Sequence, residues 1–216
     1  LMAYHLVASG NRRTIPITPI ETAVFAAWLE TQDAAMIRWI KSTGFKGAVG
    51  SISLVAGPDG SLSQVLVGVD SHQGLWAYSA LPLKLPEGCY EIDARMDRAG
   101  ATAVALGWAL GCYHFTKYKS QPMVLGKPTL VWPKNCDRGA VKRTAEATTL
   151  VRDLINIPAE DMGPPELALA ARKLAKKHDA RIKVVVGNAL LKKGYPTIHA
   201  VGRAASKAPR LIDMTW

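Results

Sequence analysis

Val151-Arg152-Asp153-Leu154-Ile155-Asn156-Ile157-Pro158-Ala159-Glu160-Asp161-Met162-Gly163-Pro164-Pro165-Glu166-Leu167-Ala168 decides how this chain is divided. Upstream of Pro158, Ala147, Leu150, Val151, Leu154 and Ile155 recur at helical spacing and form one apolar stripe. Proline lacks an amide hydrogen and disfavours helical geometry in the residue before it, so the helix is expected to stop near Asn156. Gly163-Pro164-Pro165-Glu166 then reads as a new helix start. Proline is tolerated in the first turn, and the carboxylate suits the positive end of the helix dipole. The stretch is therefore a joint between two structural units.

Arg152-Asp153-Leu154-Ile155-Asn156, Pro158-Ala159, Met162, Pro164 and Leu167-Ala168 resemble the junction segment of the leucyl (cytosol) aminopeptidase family. A second segment, Ile198-His199-Ala200-Val201-Gly202-Arg203-Ala204-Ala205 with Ala208-Pro209-Arg210-Leu211-Ile212-Asp213, is similar to the same family in the expected order. Arg203 stands where many members carry Gln, which suggests a bacterial subgroup.

The resemblance implies a macro-domain-like α/β/α amino-terminal domain over residues 1–138 and a linker helix over 139–157. The start of an α/β/α metallo-exopeptidase catalytic domain would occupy 158–216. It also implies the whole protein's activity: removal of amino-terminal, leucine-like residues from peptides by two divalent ions, manganese or zinc. A cytoplasmic homohexamer is implied as well. The family's metal ligands, carboxylates and a lysine, follow a strand equivalent to Leu211–Trp216. No catalytic or metal-binding residue carries over to these 216 residues, the substrate-binding residues are unknown, and the stretch by itself is expected to be inactive and to hold no metal.

Composition narrows the class. A chain of 216 residues can bury a sizeable core, as one large domain or two small ones. Cys89, Cys112 and Cys136 are odd in number and widely spaced, so neither a disulfide framework nor a zinc knuckle is indicated, and a reducing compartment is expected. The first residues lack the basic and apolar regions of a secretory signal, and the uncharged run from Ala99 to Tyr113 is too short to cross a bilayer.

The net charge of +10 is unevenly placed. Between Arg172 and Arg210 eleven basic residues face one acid, Asp179, while the rest of the chain balances sixteen against sixteen. A solvated face is the simpler reading of such a run; the alternative is a nucleic-acid contact, since clustered Lys and Arg neutralise phosphates. A nucleotide-binding macro-like module is a further alternative, although no glycine-rich phosphate loop is recognisable.

In order, Tyr4–Ala8 reads as a strand and the Ile15-Pro16-Ile17 region as an extended loop. Residues 22–30 read as a helix, and Asp33 as the N-cap of a helix that ends at Gly44. Trp28 and Trp39 read as core residues. Ser51–Val55 and Ser63–Val69 flank Gly57-Pro58-Asp59-Gly60 as an antiparallel hairpin. Ser71–Pro86 reads as loop and short strand, with Trp76 and Tyr78 on one side. Arg98–Tyr118 reads as a buried helix whose Gly107 and Gly111 pack closely on a sheet. Thr129–Trp132 is a short buried strand.

After the joint, 165–178 reads as a helix with Leu167, Ala170, Ala171 and Leu174 inward. Arg181–Gly187 reads as a strand covered on both faces, and Asn188 as the cap of a short helix through Leu191. His199–Gly202 reads as a turn or strand, and 210–216 as a final strand. Strands alternating with helices predict an α/β class, with a parallel sheet in the second unit. About fifty residues after the joint are too few to close such a domain.

Independent chemistry is sparse. His5, His72, His114, His178 and His199 are scattered without a metal-binding spacing. Gly126-Lys127 lacks a phosphate loop's remaining residues, since Gln121 and Pro128 occupy those places. Glu160-Asp161 reads as a pair of acids serving the helix dipole and solvent. With His199 and Asp213, that pair would be the first place to look should a metal bind.

Overall fold

The computed structural model describes residues 4–8, 13–120 and 128–216. Gly126-Lys127 lies outside them. The chain forms two compact units, Leu1–Thr149 and Leu150–Trp216.

The first unit is built on a six-stranded sheet of β1 (Leu6–Val7), β2 (Ile15–Glu21), β3 (Ile52–Ala56), β4 (Leu62–Val69), β5 (Cys89–Ile92) and β6 (Thr129–Val131). Their order is β1-β6-β5-β2-β4-β3, all neighbours parallel except the β3–β4 hairpin. Side-chain alternation along β4 explains the layering. Val65, Val67 and Val69 point to one face, where Tyr78, Leu81, Val104 and Trp108 cover them. Leu66 points to the other, against Ile20, Ile40, Phe45 and the half-buried Trp28 and Trp39. Helices α1 (Phe25–Glu30) and α2 (Ala34–Thr43) thus supply one outer layer, and α3 (Leu81–Lys84) and α4 (Arg98–Gly111) the other. Each fully buried large apolar side chain contributes roughly 1.5–3 kcal/mol.

The Asp33 carboxylate accepts from the Met36 amide at 2.7 Å, and α2 ends at Gly44 with φ +68°. The hairpin forms where expected. Helix α5 (Arg138–Asn156) also stops at Asn156, but its buried face is Val141 and Ala145 against Ala105 and Ala109 of α4. The apolar stripe of Ala147, Val151 and Ile155 is largely outward, with Ile155 75% exposed.

The region of Pro16 and Pro19 is not a loop but β2, central in the sheet. The Ile17 carbonyl accepts from the Asp93 amide on the β5 side, so odd residues of β2 face β5 and even ones face β4. Pro16 faces β4 before that ladder begins at Ile17, and Pro19 faces β5 after that ladder has ended. Neither proline removes a ladder donor, which is how a central strand tolerates both.

Ser71–Pro86 contains no strand. Successive turns (Gly74 N to Ser71 O, Ala77 N to Gly74 O, Ser79 N to Trp76 O) lead into α3, so Trp76 stands 64% exposed while Tyr78 is fully buried. Gly107 and Gly111 of α4 pack on these turns rather than on the sheet: a Cβ at either would strike the carbonyl oxygen of Leu75 or Ser79. The helix ends at Gly111, seven residues before Tyr118, where the small residues that fit it between its neighbours give way to bulky and polar ones.

In the second unit, α6 (Pro164–Lys177) packs on a two-stranded sheet of β7 (Arg181–Val186) and β8 (Arg210–Thr215). Ala168 and Ala175, not Leu167, are its fully buried positions. The strands are antiparallel, not parallel, and only Val185 of β7 is fully buried. The connection folds as α7 (Ala189–Lys192) and α8 (Pro196–Gly202), which return the chain to the same end of the sheet, where Gly187 N donates to Pro209 O. His199–Gly202 is therefore helical. Asn188 precedes α7 without capping it through its side chain, because its Oδ1 lies 3.0 Å from His199 Nε2.

Candidate functional site

Where β2 and β4 end, His72 Nδ1 lies 2.7 Å from the Glu21 carboxylate, and the His72 amide donates to the same oxygen at 3.2 Å. The hydrogen bond from His72 holds the Glu21 carboxyl below its usual range. The Tyr78 hydroxyl donates to the His72 carbonyl at 2.9 Å, and burial pushes its pKa up. This link fixes the loop after β4 to the end of β2. It presents no nucleophile beside a base, so its chemistry is positional.

The other histidines stay apart. His5 precedes β1, His114 follows α4, His178 ends α6 and His199 lies on α8 beside Asn188. Among the described residues no three His, Cys, Asp or Glu side chains gather closely enough to hold a metal ion. Glu160 and Asp161 are both exposed. Asp213 lies on β8 opposite Lys183. Cys89, Cys112 and Cys136 are free thiols, and burial pushes Cys112 up to about 12, far from a reactive thiolate.

At the joint, Glu166 accepts from the Gly163 amide at 3.0 Å and from Lys207 Nζ at 3.1 Å, while Lys207 also donates to the Glu160 carbonyl at 2.9 Å. The Lys207 bond is the main reason that the Glu166 carboxyl sits below its usual range. The acid at the helix start was legible in the sequence, but its partner, 41 residues later, carried no local signal.

Each unit also carries a concavity. A cleft of about 240 Å³ in the first unit is lined by Val49, Ile52, Val67, Asp70 and Trp76 among others. A broader groove of about 450 Å³ in the second unit lies along Met162, Leu167, Val201, Lys207, Arg210 and Ile212. Val201, on its rim, is 89% exposed. No described helix is long and apolar enough to cross a membrane.

Comparison with known proteins gives this division of the chain a family. The profile of the M17 aminopeptidase N-terminal domain matches residues 15–131, and that of the cytosol aminopeptidase family catalytic domain matches 149–216. The chain belongs to the M17 aminopeptidase family. A cytosol aminopeptidase structure from Coxiella burnetii matches 99% of the chain with a TM-score of 0.87 and 35% identity. The bottromycin maturation enzyme BotP, solved in complex with Mn, matches 94% with a TM-score of 0.72 and 26% identity. A probable cytosol aminopeptidase of Corynebacterium efficiens is 26% identical over 204 residues, 88% of this chain. The M17 chain described here spans less than half of these proteins: 41% of the Corynebacterium relative and 46% of the Coxiella chain.

Proposed function

We propose that these residues form the amino-terminal domain and the opening of the catalytic domain of a metal-dependent aminopeptidase that removes leucine-like amino-terminal residues from peptides. The observation that carries this reading is the ordered pair of family matches, amino-terminal domain then catalytic domain, on one chain. The domain limits proposed are 1–138, a linker helix over 139–157, and 158–216.

In the full-length enzyme two divalent ions, manganese or zinc, would polarise the scissile carbonyl and activate water. The described residues do not fit such ions, since no carboxylate or imidazole cluster is present among them. On this reading no catalytic step falls to these residues, and the metal ligands belong to the rest of the full-length enzyme's catalytic domain. In the second unit the Lys207–Glu166 clasp holds the start of α6 against the loop before β8. A cytoplasmic homohexamer acting on peptides completes the proposal, supported by the family membership. The basic segment Arg172–Arg210 is read as a solvated face rather than a nucleic-acid site, the ordinary state of a run of exposed charges.

The test is hydrolysis of leucinamide by a protein carrying the complete catalytic domain, with manganese or zinc added and then removed by a chelator. Metal-dependent release of leucine supports the reading. Failure of the metal-loaded, folded enzyme to cleave any amino-acid amide would overturn it.

A further inference from the structure

The cleft of the first unit lies beside the carboxyl end of β4, the end at which strands of open α/β sheets commonly meet ligands. One wall is the turn at 47–50, pinned to β4 by Gly50 N to Gly68 O and Gly68 N to Ser51 O, both 2.9 Å. Gly68 permits this approach, since a Cβ there would collide with the carbonyls of Gly47 and Ala48. The opposite wall is the turn series 71–80, held on α4 through Gly107 and Gly111. Both walls are thus fixed by close backbone contact. Yet Val49 and Trp76, which line the cleft between them, are each 64% exposed. A rigid apolar slot with an exposed indole at its edge is pre-organised for a ligand.

Size and charge define that ligand. At about 240 Å³ the cleft is smaller than the roughly 300–1,000 Å³ of sites for drug-sized molecules, so it takes one ring or one large side chain, not a nucleotide. No Lys or Arg lines it, which disfavours phosphate; Lys46 precedes the turn without lining the cleft. Its charged lining residue is Asp70. Moreover β2, β4 and β5 each end at a carboxylate, in Glu21, Asp70 and Asp93, within a chain of net charge +10. Of these, Asp70 lines the cleft, and its carboxylate favours a cation, as does an indole face.

We propose that this cleft binds an apolar primary amine, its ring or alkyl group seated among Val49, Ile52 and Trp76 and its ammonium facing Asp70. An unblocked hydrophobic residue, as free amine or amide, has this chemistry. The cleft holds no nucleophile paired with a base, so the site binds without reacting, and its occupation is independent of peptide hydrolysis.

The test is a ¹⁵N–¹H titration with phenethylamine, which has no bond for a peptidase to cleave, against the neutral 2-phenylethanol. The wild-type protein is expected to saturate at millimolar phenethylamine, with shifts confined to residues 49–52 and 67–81. Asp70→Asn should weaken phenethylamine binding about threefold and narrow the preference over the alcohol. Trp76→Ala, an exposed position, should weaken phenethylamine about fivefold and the neutral alcohol less. Equal binding of amine and alcohol by the wild type, shifts elsewhere, or absence of saturation would each overturn the proposal.

Discussion

Replacing Gly107 by Ala tests the packing that shapes the first unit. In a helix interior that exchange ordinarily gains about 1 kcal/mol, because Gly is the poorer helix former. Here the added Cβ would fall within the van der Waals envelope of the Leu75 carbonyl oxygen, a backbone atom that cannot rotate away. Either α4 or the 71–80 turns must retreat, loosening the layer in which Trp108 and Tyr78 are fully buried. Overpacking of this kind costs about 1–3 kcal/mol, and a backbone partner places it near the upper end. The net expectation is a loss of about 2 kcal/mol, or a fall in Tm of roughly 4–8 °C for a chain of this size. Thermal melts followed by near-ultraviolet circular dichroism, which reports the buried Trp108, provide the assay. Gly139→Ala is the control: its Cβ would meet only the mobile tip of Arg143 at 3.1 Å and Asp137 Oδ1 at 3.4 Å. That variant should match or exceed the wild type by up to about 1 kcal/mol. A Gly107→Ala protein as stable as the wild type would refute the close approach of α4 to the turns.

Asp33→Ala removes the carboxylate that accepts from the Met36 amide and should cost about 1 kcal/mol in urea denaturation, with an unchanged m-value. Glu166 has a lowered pKa, so its contribution to stability is complete above the ordinary carboxyl value of 4.5 and is lost as pH falls through the lower folded value. Lys207→Met should flatten that acid limb of the stability–pH curve; an unaltered limb would exclude the clasp as its source. Cys112, with its thiol pushed up to about 12, should resist iodoacetamide at pH 8 until the protein is unfolded, as mass spectrometry of alkylated peptides would show.

Local chemistry made much of the first unit legible in the sequence. Asp33 and Gly44 bracket α2, the Gly57–Gly60 turn joins β3 to β4, and Pro158 ends α5. What failed depended on partners distant in sequence. Pro16 and Pro19 suggest a loop unless one knows on which side each neighbouring ladder stops. Trp76 and Tyr78 alternate as if in a strand, but Gly107 and Gly111 draw the backbone between them into turns. In the second unit the valines of β7 imply cover on both faces, while the strand direction is set by α7 and α8, and α8 is too short to show a helical period in the sequence.

The site was less legible than the fold. The recognisable stretches, Arg152–Ala168 and Ile198–Asp213, identify a family through the joint and the loop before β8, where Lys207 and Glu166 are joined, and no local pattern in them marks a reactive group. The first unit's cleft has no sequence signature, because its lining comes from separate segments whose apolar residues, taken singly, read as core.

The most direct measurement is a calorimetric titration with manganese of two proteins in parallel, residues 1–216 alone and a protein with the complete catalytic domain. The expected result is no stoichiometric binding to the first and two bound ions in the second. Tight, stoichiometric binding by residues 1–216 would contradict the assignment of the metal chemistry to the remainder of the catalytic domain.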